Sequence, residues 1–189
     1  MDADRFDGAT LNLVFGYASL IWQPGFAHLG MQKALLFGAH RRLCVYSHHY
    51  RGTRERPGLV FGLMSGGSCH GMAIRFDPAD WGAVRSYLWE RELISGVYRP
   101  VRRTVVLADG KREEALTFVA DSHHAQYAGH LSLQTQPSLV RKARGSKGPN
   151  IDYVRNTARH LHQLGVPDRN LAQLSHLLDF DQSAPTKRS

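Results

Sequence analysis

Apolar and polar positions change their rhythm several times along the chain, and each change marks an element. Leu13, Val14 and Phe15 form a short apolar run that breaks off into Gly16-Tyr17-Ala18-Ser19, so residues 11–17 read as a strand. Residues 34–48, "ALLFGAHRRLCVYSH", read as a second extended stretch interrupted by Gly38. "LVFGLM" and "CHGMAIRF" flank "SGGS" at 65–68, which predicts a hairpin turning there. The period then lengthens over "FDPADWGAVRSYLWERELISG", where Asp77 can cap, Pro78 takes the first helical position and Asp80 follows, predicting a helix over about 78–94. "PVRRTVVLADGKREEALTFVA" gives two strand-like runs about Asp109-Gly110, a dipeptide favoured in two-residue hairpin turns. From about 123 onward the pattern is helical, with helices predicted over 150–165, ending at Gly165, and over 169–178; "SAPTKRS" reads as a disordered tail. Strands first, one helix between hairpins and helices last make an α+β domain, a curved antiparallel sheet or small open barrel with helices packed on it.

Two positions stand out against this frame. Trp81, Val84 and Leu88 share one helix face, and four more residues along that face comes Glu92, whereas Glu90 is rotated about 200° from Leu88 toward solvent. A carboxyl aimed at the core, near a helix C-terminus where the dipole disfavours negative charge, has its pKa raised, which suits proton exchange near neutral pH. Arg91 or another base could oppose that rise by pairing with it, and the alternative is an amphipathic helix whose last turn emerges into water, with Glu92 salt-bridged there. The loop after the first strand also has two readings. Gly16 and Pro24-Gly25 suit a simple turn. The same small residues suit a loop whose backbone N–H groups cradle an anion.

Composition narrows the function classes. The 189 residues, 42% of them hydrophobic, suit one domain. No apolar run approaches the roughly 20 residues of a membrane span, and the first residues lack a secretory pattern, so a soluble cytoplasmic protein is expected, with no membrane partner. Two cysteines, Cys44 and Cys69, are too few for a disulfide framework and fit reduced thiols. The formal charge of +8 raises nucleic acid as a partner. Its Lys and Arg are spread out, however, the densest group "RKARGSKG" is short, and no nucleic-acid-binding motif is present, so none is expected to bind. The eleven histidines carry no metal-ligand spacing, so no metal is expected. Cys69 and His70 are neighbours on a strand and face opposite ways, Ser19 lacks a G-x-S-x-G elbow, and "GSKGPN" lacks the P-loop order.

Four segments, in order, resemble the ChaC-type gamma-glutamylcyclotransferases. "VFGYASLIWQPGF" is similar to the family's Y-G-S-L loop with its following tryptophan, and "HHYRGTRERPGLVFGLMSGGSCHGMAIRF" to its R-G-T, Pro-Gly and G-G-S-C/W-x-G region. "YLWERELISGVYRP" resembles the segment whose R-E dipeptide holds the essential glutamate, and "GPNIDYVRNTARHLHQLGVPDRNLAQL" the helical close. Ala18 stands in place of the glycine of Y-G-S-L, and Val97 where many members have a second glycine before the tyrosine. The resemblance covers about residues 11–178. It implies a gamma-glutamylcyclotransferase-like domain over 11–180, flanked by an N-terminal extension (1–10) and a tail (181–189). It also implies Glu92 as catalytic acid/base and a substrate loop of Gly16, Tyr17, Ala18, Ser19 and Leu20. Arg51, Thr53 and Tyr98 are further candidates for substrate contact, with Tyr127, Asn150 and Tyr153 behind them. The implied reaction is cofactor-independent: the alpha-amino group of glutathione attacks its own gamma-carbonyl, giving 5-oxoproline and cysteinylglycine. A noncatalytic binding module on the same scaffold and a basic RNA-associated protein are the competing classes.

Overall fold

A computed structural model describes Phe6, residues 11–166 and residues 168–180. The expected N-terminal extension, apart from Phe6, and the expected tail lie outside the described residues. Five strands, β1 (Leu13–Gly16), β2 (Gly30–Ser47), β3 (Gly58–Arg75), β4 (Tyr98–Leu107) and β5 (Arg112–Ala120), close into a barrel in the order β1-β3-β2-β4-β5. Neighbouring strands in this order run antiparallel where β1 meets β3, β2 meets β4 and β4 meets β5; the parallel pair Val14↔Leu116 joins β1 to β5. Helices α1 (Trp81–Glu92), α2 (Gln136–Lys142), α3 (Asn150–Gln163) and α4 (Arg169–Phe180) complete the α+β architecture expected from the sequence. Among the described residues no helix is long and apolar enough to cross a membrane.

The hairpin expected at 65–68 is not there. β3 runs unbroken through it, and Gly66 and Gly67 sit at φ +88° and +73° inside the strand. Two positive-φ glycines bulge and bend a strand as readily as they turn a hairpin, and a closing barrel needs the bend. His40 Nδ1 meets the Gly66 carbonyl at 2.8 Å across this bend. Gly38, at φ +81°, does the same to β2. Before it the buried positions are Ala34 and Leu36; after it the odd positions Ala39, Arg41, Leu43, Val45 and Ser47 are buried, with Cys44 beside them. One irregular residue therefore moves the buried face from even to odd positions. The β4–β5 turn falls about Asp109-Gly110 as expected, but as a three-residue loop rather than a two-residue turn: Gly110 N–H bonds the Leu107 carbonyl (2.9 Å) and Gly110, the third loop residue, is left-handed at φ +85°.

By contact the chain divides into two compact units, residues 1–42 with 61–127 and residues 43–60 with 128–189. In the first, Phe6, Leu11, Val14, Leu20, Ile74, Phe76, Val84, Leu88, Leu116 and Phe118 form one buried cluster. The helix start is as read: Asp77 caps Ala79 N–H at 2.9 Å and Pro78 opens a 3₁₀ turn, Pro78–Asp80, that runs into α1. In the second unit α2, α3 and α4 contact one another. Residues 123–135, expected as helix, form turns, and Arg144–Gly145 and Gly148–Pro149 pair as a two-stranded hairpin, β6-β7. The glycines and prolines there break the helical period. Gly165 ends α3 as expected, at φ +60° with Val166 N–H on the Leu161 carbonyl (2.8 Å).

Candidate active site

The loop after β1 folds tightly. A Cβ on Gly16 would lie 3.1 Å from Leu20 Cβ, so the chain turns straight back on itself. Ala18 adopts φ −139°, so the alanine in place of glycine meets no demand for a positive φ. Ser19–Ile21 form a 3₁₀ turn whose recorded donors are the N–H groups of Ile21, Trp22 and Gln23, bonded to the Ala18 and Ser19 carbonyls. The N–H groups at the start of such a turn face outward along its axis. Leu20 and Ile21 are buried and anchor the loop, while Ser19 stays partly exposed. Arg41 Nη1 donates to the Tyr17 carbonyl (2.8 Å) and to the His70 carbonyl (3.1 Å), and it lies 3.8 Å from Cys69 Sγ. A buried arginine thus holds the loop to β3.

Glu92 is the last residue of α1, on the stripe of Val84 and Leu88, both buried; Glu90 is exposed. The Glu92 and Arg91 side chains each keep 18% exposure. Burial raises the Glu92 pKa above the carboxylate range, and the neighbouring Arg91 charge and hydrogen bond oppose that rise. The two sequence readings therefore combine: the carboxyl faces inward and is also paired, with Arg91 Nε 3.0 Å from Glu92 Oε1.

Arg91 does more than pair. It lies four residues after Tyr87, on the stripe beside that of Glu92, and the substrate-loop candidate runs along this stripe. Its Nη1 donates to the Gln23 carbonyl (2.6 Å), the Pro24 carbonyl (3.2 Å) and Tyr87 Oη (2.8 Å), and its Nη2 to Ser19 Oγ (3.0 Å). Gly25, at φ +79°, lets the loop pass so close to Tyr87 that a Cβ would overlap the phenol. One guanidinium therefore ties the loop residue Ser19 to the carboxyl of Glu92.

Tyr98 lies in the same unit, packed on the buried cluster, with its hydroxyl donating to the Phe61 carbonyl at 2.6 Å. Arg51 and Thr53 belong to the second unit, as do Asn150 and Tyr153. Arg51 Nη1 donates to the Lys147 carbonyl (2.5 Å) and its guanidinium lies over the Tyr153 ring (5.3 Å). Thr53 Oγ1 accepts from Arg56 N–H at 3.2 Å, closing its own exposed turn. Asn150, fully buried, exchanges two hydrogen bonds with Leu59, 2.6 and 2.8 Å. Tyr127 N–H bonds the His124 carbonyl. Cys69 is buried and His70 exposed, on opposite faces as expected. Among the described residues no group of three or more His, Cys, Asp or Glu side chains is placed to hold a metal ion. Sequence reasoning missed Arg41 entirely and saw Arg91 only as a partner for Glu92. The signal for Arg41 was Gly38: with the alternation shifted there, Arg41 falls on the buried face.

Comparison with known proteins agrees with this geometry. A family model described as ChaC-like protein matches residues 12–180. The glutathione-specific gamma-glutamylcyclotransferase of Escherichia coli (strain K12) is 32% identical over 161 residues, spanning 85% of this chain and 70% of the relative. Glutathione-specific gamma-glutamylcyclotransferase 1 of Homo sapiens is 27% identical over 167 residues, spanning 85% of this chain and 75% of the relative. The crystal structure of a yeast gamma-glutamyl cyclotransferase specific to glutathione has the same fold, with a TM-score of 0.81 at 18% identity over 90% of this chain and 99% of that one. With a match over nearly its whole described length and an inward carboxyl tied to the loop after β1, the chain belongs to the ChaC-like family.

Proposed function

We propose that the chain is a glutathione-specific gamma-glutamylcyclotransferase, built on one domain over residues 11–180 and acting without a cofactor on a small-molecule substrate in the cytoplasm. The observation that carries this reading is the half-buried Glu92, with its raised pKa, linked through Arg91 to the loop at Ser19. The names of the Escherichia coli and human relatives support the choice of glutathione. The two buried thiols suit a reducing compartment.

Proton counting explains why one carboxyl suffices. The alpha-ammonium must lose a proton before its nitrogen can attack the gamma-carbonyl carbon, and it loses a second on becoming the lactam N–H. The leaving amide nitrogen must gain a proton to depart as an amine and takes up another as an ammonium. Both protons move from the attacking to the leaving nitrogen. A carboxyl whose pKa burial has raised accepts and returns each in turn, and Glu92 takes that role. Ring closure is intramolecular, so holding the glutamyl chain folded supplies orientation in place of collision. Gly16, Tyr17, Ala18, Ser19 and Leu20 form the receiving loop, whose N–H groups meet the alpha-carboxylate or the developing oxyanion. Tyr98, in the same unit, is a further substrate contact.

Incubating the purified protein with glutathione and with other gamma-glutamyl dipeptides, and measuring 5-oxoproline, tests the reading. Glutathione is expected to give stoichiometric 5-oxoproline and cysteinylglycine. No product from any substrate would overturn it in favour of a binding module. Product only from another dipeptide would keep the chemistry and correct the specificity.

A further inference from the structure

Arg91 is the most heavily committed side chain of the site, and the way its donors are shared has chemical consequences. A guanidinium carries five N–H donors in a fixed plane. The single Nε–H goes to Glu92 Oε1, and both Nη1 hydrogens are absorbed by Gln23, Pro24 and Tyr87. Nη2 reaches Ser19 Oγ. Among the described residues no other side chain or backbone group bonds the Glu92 carboxylate, so Oε2 is the oxygen left open. Ser19 Oγ accepts from Arg91, and no bond donated by its own hydroxyl is recorded among the described residues. A hydroxyl whose oxygen accepts from a cation is polarised to donate its own hydrogen outward.

We propose that Arg91 is a positioning residue for ring closure: by holding Glu92 through Oε1 and Ser19 through Oγ, it makes Oε2 the proton-exchanging atom and the Ser19 hydroxyl a hydrogen-bond donor to the substrate. The proposal rests on the reading that Glu92 exchanges the proton. It explains why the two readings of Glu92 coexist. Pairing at one oxygen fixes the plane of the carboxyl without occupying its other oxygen. Held in this way, the carboxyl cannot turn away when the substrate amine arrives. The same clamp sets the distance between loop and helix, because the Gln23 and Pro24 carbonyls and Tyr87 lock the guanidinium plane.

The electrostatic side follows from the neighbours. On α1 the charged group against Glu92 is Arg91 and the titratable group against Arg91 is Tyr87; the loop presents the neutral Ser19 hydroxyl and two carbonyls. Beyond the helix end, His124 Nε2 approaches Gly96, 3.7 Å from where a Cβ there would stand. Removing the Arg91 charge leaves burial unopposed, so the carboxyl becomes harder to ionise.

The test uses the full chain with glutathione, reading 5-oxoproline release against pH together with thermal melting of each variant. Arg91→Gln is expected to lower kcat by about 10²-fold, the cost of a misplaced reacting group, and to move the acidic limb of kcat/KM to higher pH. Arg91→Lys keeps the charge, so its limb stays near that of the natural protein. One ammonium cannot span Glu92, Ser19 and the loop carbonyls together, so its kcat remains down by about 10-fold. Ser19→Ala should raise KM more than it lowers kcat, and should cost little further in the Arg91→Gln background, because the Ser19 donor depends on Arg91.

Three results overturn the proposal: a folded Arg91→Gln protein with unchanged kcat and limb, full kcat in Arg91→Lys, or additive effects of Arg91→Gln and Ser19→Ala. Where Arg91→Gln fails to fold, Arg91→Lys and Ser19→Ala decide: full kcat in the lysine variant, or an unchanged KM in Ser19→Ala, overturns it. Glu92→Gln separates this proposal from the reading beneath it. Full activity there removes proton exchange at Glu92 and both claims fall, whereas a dead Glu92→Gln beside an unaffected Arg91→Gln removes the positioning role alone.

Discussion

A carboxyl whose ionisation the fold opposes has two measurable signatures, one in rate and one in stability. An amide in place of Glu92 keeps the shape but cannot carry a proton, so Glu92→Gln should lower turnover by at least about 10²-fold while the protein stays folded. Glu90 is exposed, and Glu90→Gln should leave 5-oxoproline release within twofold of the natural rate, roughly the scatter of a surface change. The stability effect has the opposite sign. Because burial raises the folded-state pKa of Glu92, the native state holds its proton over a pH range where the unfolded chain has lost it. Stability contributed by this group is therefore full below the unfolded value and declines as pH rises through the folded one, by about 1.4 kcal/mol for each unit between them. Glu92→Gln should accordingly melt higher than the natural protein at pH 8, with the gap closing toward pH 4. A gap of the opposite sign that widens with pH would show that the Arg91 pair outweighs burial. At this scale the position of Glu92 was legible, since spacings of three and four from Trp81, Val84 and Leu88 suffice. Arg91 was not, because its partners Ser19, Gln23 and Pro24 lie far away in sequence and nothing local announces that the loop crosses its stripe.

Glycines inside strands divide into those that bend the chain and those that admit a neighbour, and the two kinds should respond differently to a methyl group. At Gly66 (φ +88°) an added Cβ meets nothing within 4 Å, so Gly66→Ala should cost only the strain of a left-handed alanine, about 1 kcal/mol. At Gly71 a Cβ would lie 2.4 Å from the Gly16 carbonyl oxygen and 2.6 Å from the Phe15 ring, so the end of β1 must move. Gly71→Ala should cost more, of the order of 1–3 kcal/mol as for other overpacked sites. It should also depress kcat/KM, because Gly16 begins the proposed substrate loop. Urea midpoints at constant m, with 5-oxoproline release, check both; equal stability losses with unaltered activity in Gly71→Ala would count against this account. These glycines also explain what was misread. The Asp109-Gly110 turn, the Asp77 cap and the Gly165 stop are signalled by residues adjacent to the feature they create. "SGGS" carries the same composition whether the strand reverses or bends, and only the partner strands decide. Gly38 was seen as an interruption, but its shift of the buried face, which brings Arg41 inside, depends on the barrel.

Closure of that barrel belongs to the whole chain: β1 pairs with β5 at Val14↔Leu116, a contact no local pattern contains. The α+β class followed from the order of elements, whereas the closing parallel pair could come only from the structure. Net charge is the other whole-molecule property, legible at once as +8 yet silent about its use. Arg41 holds the Tyr17 and His70 carbonyls, Arg91 the loop and Glu92, and Arg51 the Lys147 carbonyl, so part of the positive charge serves the protein's own backbone. The rest is dispersed and acts as a field. Such a field attracts an anionic peptide weakly and is screened over about 10 Å at 0.1 M salt. Raising salt from about 0.01 to 0.3 M should therefore lower kcat/KM for glutathione by only about two- to fourfold, through KM, with kcat flat. A nucleic-acid-binding surface would behave otherwise, because each neutralised phosphate releases a counterion and affinity falls by orders of magnitude over the same range. Fluorescence anisotropy with a labelled RNA oligonucleotide should give binding only at the lowest salt. Tight RNA binding at physiological salt, with a steep log–log slope, would mean that the dispersed cations form a common surface and would restore the RNA-associated reading beside the enzyme.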